Sequence, residues 1–225
     1  MRNRILIISG ILVILLFPSI NKSFAQDKFV PETYAGIRVS YGVSRVGFDP
    51  VVDQQFYPGL GYGIALSHIS QKNLGIYTEI NFAQAGWKTT SDSTGNYSRR
   101  LNYLQIPLLT QFNIGNRKSK VLIHIGPCIS FLLSESESID TLSGAFKKPF
   151  IGVPVKNTVD YGLCADLGYI QQTGIGAFQL VARYNQSLGS IFESSGNADY
   201  RFSMNSILEI GIGYFIEPRK IFKKH

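Results

Sequence analysis

The sequence predicts an all-β protein, an eight-stranded antiparallel up-and-down transmembrane β-barrel with both termini periplasmic. Three observations predict it. Eight segments alternate apolar with small or polar residues at period two. The connections between those segments alternate strictly between long and short. The chain also opens on the pattern of an export signal.

The export signal comes first in the chain. Arg2 and Arg4 give a positive start, and residues 5–17 form an apolar run interrupted only by Ser9 and Gly10. Ser23-Phe24-Ala25 then offers a small-x-small cleavage site. The run is about 13 residues, short of the ~18–20 that an anchoring helix needs. The expected organisation is a cleaved signal peptide over 1–25, an outer-membrane β-barrel domain over 26–217 and a basic C-terminal tail over 218–225.

Composition fits this assignment. Aromatics make up 12 % of the chain, there are 22 glycines, and charged residues make up only 16 %, the profile of alternating strands and turns. The net charge of +7 falls to +4 once Arg2, Arg4 and Lys22 leave with the signal. Four of the remaining cations, Arg219, Lys220, Lys223 and Lys224, cluster in the tail. No nucleic-acid partner is therefore expected. The tail suits anionic lipid head groups instead.

The eight strands are expected near 34–48, 59–71, 74–88, 100–115, 119–134, 159–172, 176–189 and 203–216. Short turns fall near Gln71-Lys72-Asn73, Asn116-Arg117-Lys118 and Gln172-Thr173-Gly174-Ile175. Longer connections fall at 49–58, 89–99, 135–158 and 190–202. An outer-membrane barrel with periplasmic turns and extracellular loops produces this alternation, and tilted strands that cross a bilayer need about 9–11 residues in the hydrocarbon.

Each strand has two distinct faces. In the first, Ile37, Val39, Tyr41 and Val43 alternate with Arg38, Ser40, Gly42 and Ser44; in the sixth, Tyr161, Leu163, Leu167 and Tyr169 oppose Gly162, Cys164, Asp166 and Gly168. Alternation alone does not say which face is inside, since a soluble barrel alternates with its apolar face inward. The charges and the signal decide. Arg38, Glu79, Asp166, Arg183 and Glu209 all fall opposite the apolar set. Toward lipid, each cation would cost roughly 2–4 kcal/mol near the midplane and each carboxylate somewhat less. Inside a shared lumen, two cations and three carboxylates nearly neutralise one another.

The segment Leu101-Asn102-Tyr103-Leu104-Gln105-Ile106-Pro107-Leu108-Leu109 resembles a hallmark of the PorT-like outer-membrane β-barrel family of Bacteroidetes. Ile76-Tyr77-Thr78-Glu79-Ile80-Asn81-Phe82, Arg183-Tyr184-Asn185 and the closing stretch Ser206-Ile207-Leu208-Glu209-Ile210-Gly211 are similar to further strands of that family. The resemblance covers nearly all of 34–216. It implies the barrel fold and the outer membrane. The name-giving member of the family belongs to a type IX secretion system, but no residue motif carries that role onto this chain.

Four groups are candidates for function. The first is the lumen cluster of Arg38, Glu79, Asp166, Arg183 and Glu209, either a charge-lined conduit or a salt-bridged plug. Eight strands enclose only enough room for side chains, which favours the plug. The second is the pair Cys128 and Cys164, on the lumen face of adjacent strands along an oxidising export route. A disulfide there needs Cα atoms within about 7 Å, and register is not readable from sequence, so two reduced, space-filling cysteines are the alternative. The third is catalysis: His124 and Ser130 share a face but lie roughly 20 Å apart at strand rise, too far for a nucleophile–base pair. No enzyme, metal or cofactor is expected. The fourth is the long connections 135–158 and 89–99, where a protein partner is expected to dock on a rigid scaffold. Trp87, Tyr97 and Tyr57 are expected in an interfacial aromatic girdle. Outer-membrane lipid and, during insertion, the barrel-assembly machinery complete the expected partners.

The leading reading is a non-enzymatic barrel with a structural or partner-binding role. The alternatives are an accessory component of protein secretion, a small-solute porin and a lipid-modifying enzyme.

Overall fold

The structure, a computed structural model, describes residues 29–91, 95–140, 152–192 and 202–218. The expected signal peptide over 1–25 and all of the tail beyond Pro218 lie outside the described residues. Eight strands run in chain order: β1 (Glu32–Asp49), β2 (Gln55–Gln71), β3 (Leu74–Ser91), β4 (Gly95–Gly115), β5 (Ser119–Asp140), β6 (Val159–Gln172), β7 (Ala177–Ser187) and β8 (Phe202–Ile216). Each pairs antiparallel with its neighbour, and β1 pairs with β8 from Ala35↔Ile216 to Asp49↔Phe202, so the sheet closes into a barrel. Closure removes every free strand edge, which lets a sheet sit in hydrocarbon.

The two faces sort as the alternation predicts, with the apolar side outward. Ile37, Val39, Leu60, Tyr62, Ile64, Leu163, Leu167, Ile210 and Ile212 are each more than half exposed, while Arg38, Glu79, Asp166 and Arg183 are buried. A soluble protein does not carry so large a contiguous apolar belt.

Both chain ends of the barrel and the three connections expected as short turns lie at one end, here the turn end. Asn116 builds one of these turns: its Oδ1 accepts from the amides of Lys118 and Ser119, both at 2.9 Å, a side chain standing in for a backbone turn. At the opposite, loop end β2, β3, β4 and β5 run several residues further than expected, while β7 stops at Ser187. β3 continues to Ser91 and β4 begins at Gly95, so 89–99 is a hairpin of paired strand, Thr89↔Tyr97 to Ser91↔Gly95, and not a loop. Likewise 135–140 belongs to β5 and pairs with β4 up to Asn96↔Asp140. These extensions stand beyond the apolar belt in water. Their polar outer residues imitate a loop in composition while the inward positions keep the period of two.

Candidate functional site

The lumen is filled by side chains in three layers. The middle layer is ionic. His124 of β5, Asp166 of β6, Arg183 of β7 and Glu209 of β8 are successive cross-strand partners, one residue from each of four consecutive strands. Glu79 of β3 and Arg38 of β1 face this row from the other wall. Arg183 makes two bidentate pairs. Its Nη1 and Nη2 donate to Glu79 at 2.6 and 3.0 Å, and its Nε and Nη2 donate to Asp166 at 2.7 and 2.8 Å. The planar guanidinium fork suits such paired carboxylates. Arg38 donates to Glu209 at 2.7 Å and lies 3.6 Å from Glu79.

Neutral donors fill remaining lone pairs of the carboxylates. Ser40 Oγ donates to Glu209 at 2.8 Å, and the Tyr77 hydroxyl and the Asn81 amide both donate to Glu79. His124 Nδ1 meets Asp166 at 3.1 Å, and its ring stacks on Tyr77 at 4.4 Å between centroids. Gly211 makes room for the cluster, since a Cβ there would come within 2.7 Å of the Arg38 guanidinium. All five charged residues expected in the lumen are thus brought together. His124 and Tyr77 join them, a placement that depends on register.

The loop-end layer is apolar and aromatic. Val46, Phe48, Ala85, Trp87, Tyr97, Leu101 and Tyr103 from the strands pack with Val155, Ile191 and Phe192 from the connections. Phe48 meets Trp87 edge-on at 5.4 Å, and Phe192 lies 6.2 Å from Trp87. Trp87 and Tyr97 are completely buried here, so they do not form the interfacial girdle expected of them. Trp87 shares the inward parity of Tyr77 and Glu79 on β3, Tyr97 that of Leu101 and Tyr103 on β4, and both seal the mouth. Tyr57 is also buried, with the Lys88 and Arg100 cations over its ring at 5.4 and 5.9 Å.

Arg99 stands in this apolar layer. Its guanidinium lies 5.8 Å from Trp87 and 5.3 Å from Phe192. It pairs with Glu135 and, at 2.7 Å, with Glu137, and it donates to the Val153 carbonyl at 2.7 Å. A β-bulge makes this possible. Asn102 pairs with Ser134 but Tyr103 pairs with Leu132, so Leu133 is the extra residue on β5. One extra residue reverses the inward and outward parity beyond it, which turns Glu135 and Glu137 toward Arg99. The same carboxylates accept from the amides of Val155 at 3.3 Å and Gly152 at 3.2 Å. The connection after β5 is thereby tied down onto the barrel mouth.

The turn-end layer contains Tyr34, Ile69, Tyr77, Leu109 and Phe215; Cys128 and Cys164 pack in the same cluster but lie on the loop-end side of His124 and Asp166 on their own strands. Both cysteines are buried free thiols. Cys128 sits opposite Gly162 and Cys164 opposite Gly126, so they are diagonal rather than direct partners, a relation that spaces Cα atoms at roughly 7–8 Å. Asn185 Nδ2 lies 3.8 Å from Cys128 Sγ. Two small cavities flank the ionic layer, one among Ser67, Gln111, Asn113 and Gln179, the other among Gln105, Asp160, Asn185 and Asn205. Each has room for about one water molecule. Among the described residues, no cluster of three or more His, Cys, Asp or Glu is placed to hold a metal.

Comparison with known proteins agrees with this architecture. Residues 24–193 match the family described as "Outer membrane protein beta-barrel domain". No curated protein sequence matches the chain. Among solved structures, the outer membrane protein OprG from Pseudomonas aeruginosa is similar at 12 % identity and a TM-score of 0.50, over 84 % of this chain and 97 % of that one. Ail, the attachment invasion locus protein of Yersinia pestis, is similar at 14 % identity and a TM-score of 0.44, over 82 % of this chain and 99 % of that one. Neisserial surface protein A aligns at 11 % identity and a TM-score of 0.40, over 83 % of this chain and 99 % of that one. At such identities the likeness concerns the fold alone.

Proposed function

Because the chain belongs to the outer membrane protein beta-barrel domain family and so resides in the outer membrane, we propose that it is a sealed, non-enzymatic barrel that presents its loop-end rim to a protein partner. The turns and both termini then face the periplasm and the rim faces outward, the arrangement usual for such barrels. The observation that carries this reading is the filled lumen, a buried ionic layer under an aromatic one. A solute has no path through such packing, and the accessible surface is left to the rim. His124 and Asp166 resemble the base and orienting acid of a hydrolase, but the imidazole is fully buried and stacked on Tyr77, which supports a structural role for it.

The rim is built for contact. The extended ends of β3, β4 and β5 form a paired sheet, and Arg99 fixes the connection after β5 against it. A rigid surface of this kind binds with little ordering cost. Photo-crosslinkers at Ser98, Ser136 and Ser138 in intact cells, followed by mass spectrometry, test the reading. A discrete protein recovered at all three positions is expected; recovery of lipid alone would contradict a partner-binding role. The resemblance of residues 101–109 to the PorT-like family favours a second reading, an accessory component of protein secretion. Capture of secretion components in the same experiment would support it.

A further inference from the structure

Three cations gather on the outer face of the barrel just past the apolar belt at the loop end. Arg45 follows Val43, the last apolar outward residue of β1. Lys88 lies beyond Phe82 on β3, and Arg100 lies beyond Leu104 on β4. All three converge on one dipeptide of β2. The Arg45 guanidinium lies 5.8 Å from the Phe56 ring, while Lys88 Nζ and the Arg100 guanidinium lie 5.4 and 5.9 Å from the Tyr57 ring. Arg100 Nε also donates to the Tyr57 hydroxyl at 2.6 Å. Among the described residues, none of the three forms an ion pair with a carboxylate. Among the other charges on the barrel wall at this end, Arg99, Glu135 and Glu137 turn inward and pair with one another.

The level of this cluster along the strands is marked by a polar ladder. Gln84 donates to Asn102 at 3.2 Å, and Asn102 donates to Ser134 at 2.9 Å, all on outward positions directly above the apolar belt. Such residues belong at the boundary between hydrocarbon and head groups. Phe56, 59 % exposed, offers an apolar surface beside the cations.

We propose that Arg45, Lys88 and Arg100 form a binding site for the phosphate of an outer-leaflet glycolipid, with the acyl chains laid along Phe56 and the belt below. The chemistry is specific. Guanidinium groups bind phosphate through paired, charge-assisted hydrogen bonds, and the low dielectric of the neighbouring hydrocarbon strengthens the attraction. Rings beneath the cations hold them in place, so little side-chain freedom is lost on binding. The proposal rests on the reading that the loop end faces outward.

The test uses the full barrel in nanodiscs containing a phosphorylated lipid A glycolipid, with native mass spectrometry to count retained glycolipid. The triple variant Arg45→Gln, Lys88→Gln, Arg100→Gln is compared with the parent, and refolding is checked by heat-modifiable migration on gels. Retention is expected to fall about tenfold or more in the triple variant, as loss of roughly one strong contact would give. The same glycolipid stripped of phosphate should be retained no better by the parent than by the variant. Equal retention of the phosphorylated lipid by both proteins would overturn the proposal. So would displacement by millimolar inorganic phosphate, which would indicate a site for the free anion. Labelling of Ser138→Cys in intact cells by an impermeant maleimide reads orientation separately. If that label enters and the variant still retains glycolipid, this proposal fails while the outward rim stands; if it does not enter, the orientation fails whatever the nanodiscs show.

Discussion

Removing the Arg183 guanidinium strands two buried carboxylates, Glu79 and Asp166, each of which it holds through two hydrogen bonds. Breaking a buried pair from one side costs about 3–5 kcal/mol, because the orphaned charge stays out of water. Arg183→Met is therefore expected to lower the urea midpoint for unfolding from lipid vesicles by an amount corresponding to that loss. Arg183→Met combined with Glu79→Gln and Asp166→Asn should recover part of it, since no uncompensated carboxylate then remains on Arg183. An unchanged midpoint in the single variant would show that these pairs do not stabilise the barrel. Part of this cluster is legible in the sequence. The turn between β6 and β7 leaves Gln172 paired with Ala177, and six residues back and six residues on lie Asp166 and Arg183, so that one rung follows from the turn. The partnership of His124 with Asp166 does not follow, because β5 and β6 are joined by a long connection that leaves their register open. Parity on β3 turns Trp87 inward; its position near the end of the expected strand suits an interfacial ring, whereas the strand runs on past the membrane and carries the indole inside.

The bulge at Leu133 is the feature of β5 on which the rim depends. Without the extra residue, Glu135 and Glu137 would point outward, and Arg99, beside Trp87 and Phe192, would lose both carboxylates. Deleting Leu133 is expected to release the connection that follows β5, and Arg99→Met should do the same with β5 left intact. The readout is amide hydrogen exchange at Gly152 and Val155, whose N–H groups bond to Glu137 and Glu135. Their protection should fall by at least about tenfold in both variants, as expected if opening becomes easier by roughly 1.4 kcal/mol. Unchanged protection would mean that this connection is held by Val155 packing alone. Sequence does not reveal a bulge of this kind, because a single extra residue on a half-polar strand looks like a lapse of periodicity. The same limit explains the hairpin over 89–99. Thr89, Thr90 and Ser91 suit either a loop or a water-exposed strand, and only pairing with β4 distinguishes them.

At the scale of the whole molecule, the barrel is an inverted globule, with its apolar side chains outward and its ions within. The direction of that inversion is what the sequence conveys most securely, since signal, strand parity and the placement of charge agree. The height of the barrel above the membrane and the packing of its mouth are set by register and by connections folding back, which parity does not contain. Ionic and aromatic layers together close the lumen. Single-channel recording of the refolded protein in planar bilayers tests this closure most directly, with a barrel of known conductance as a positive control. A silent membrane is expected at all applied voltages. Steady, uniform current steps that scale with the amount of refolded protein would contradict it.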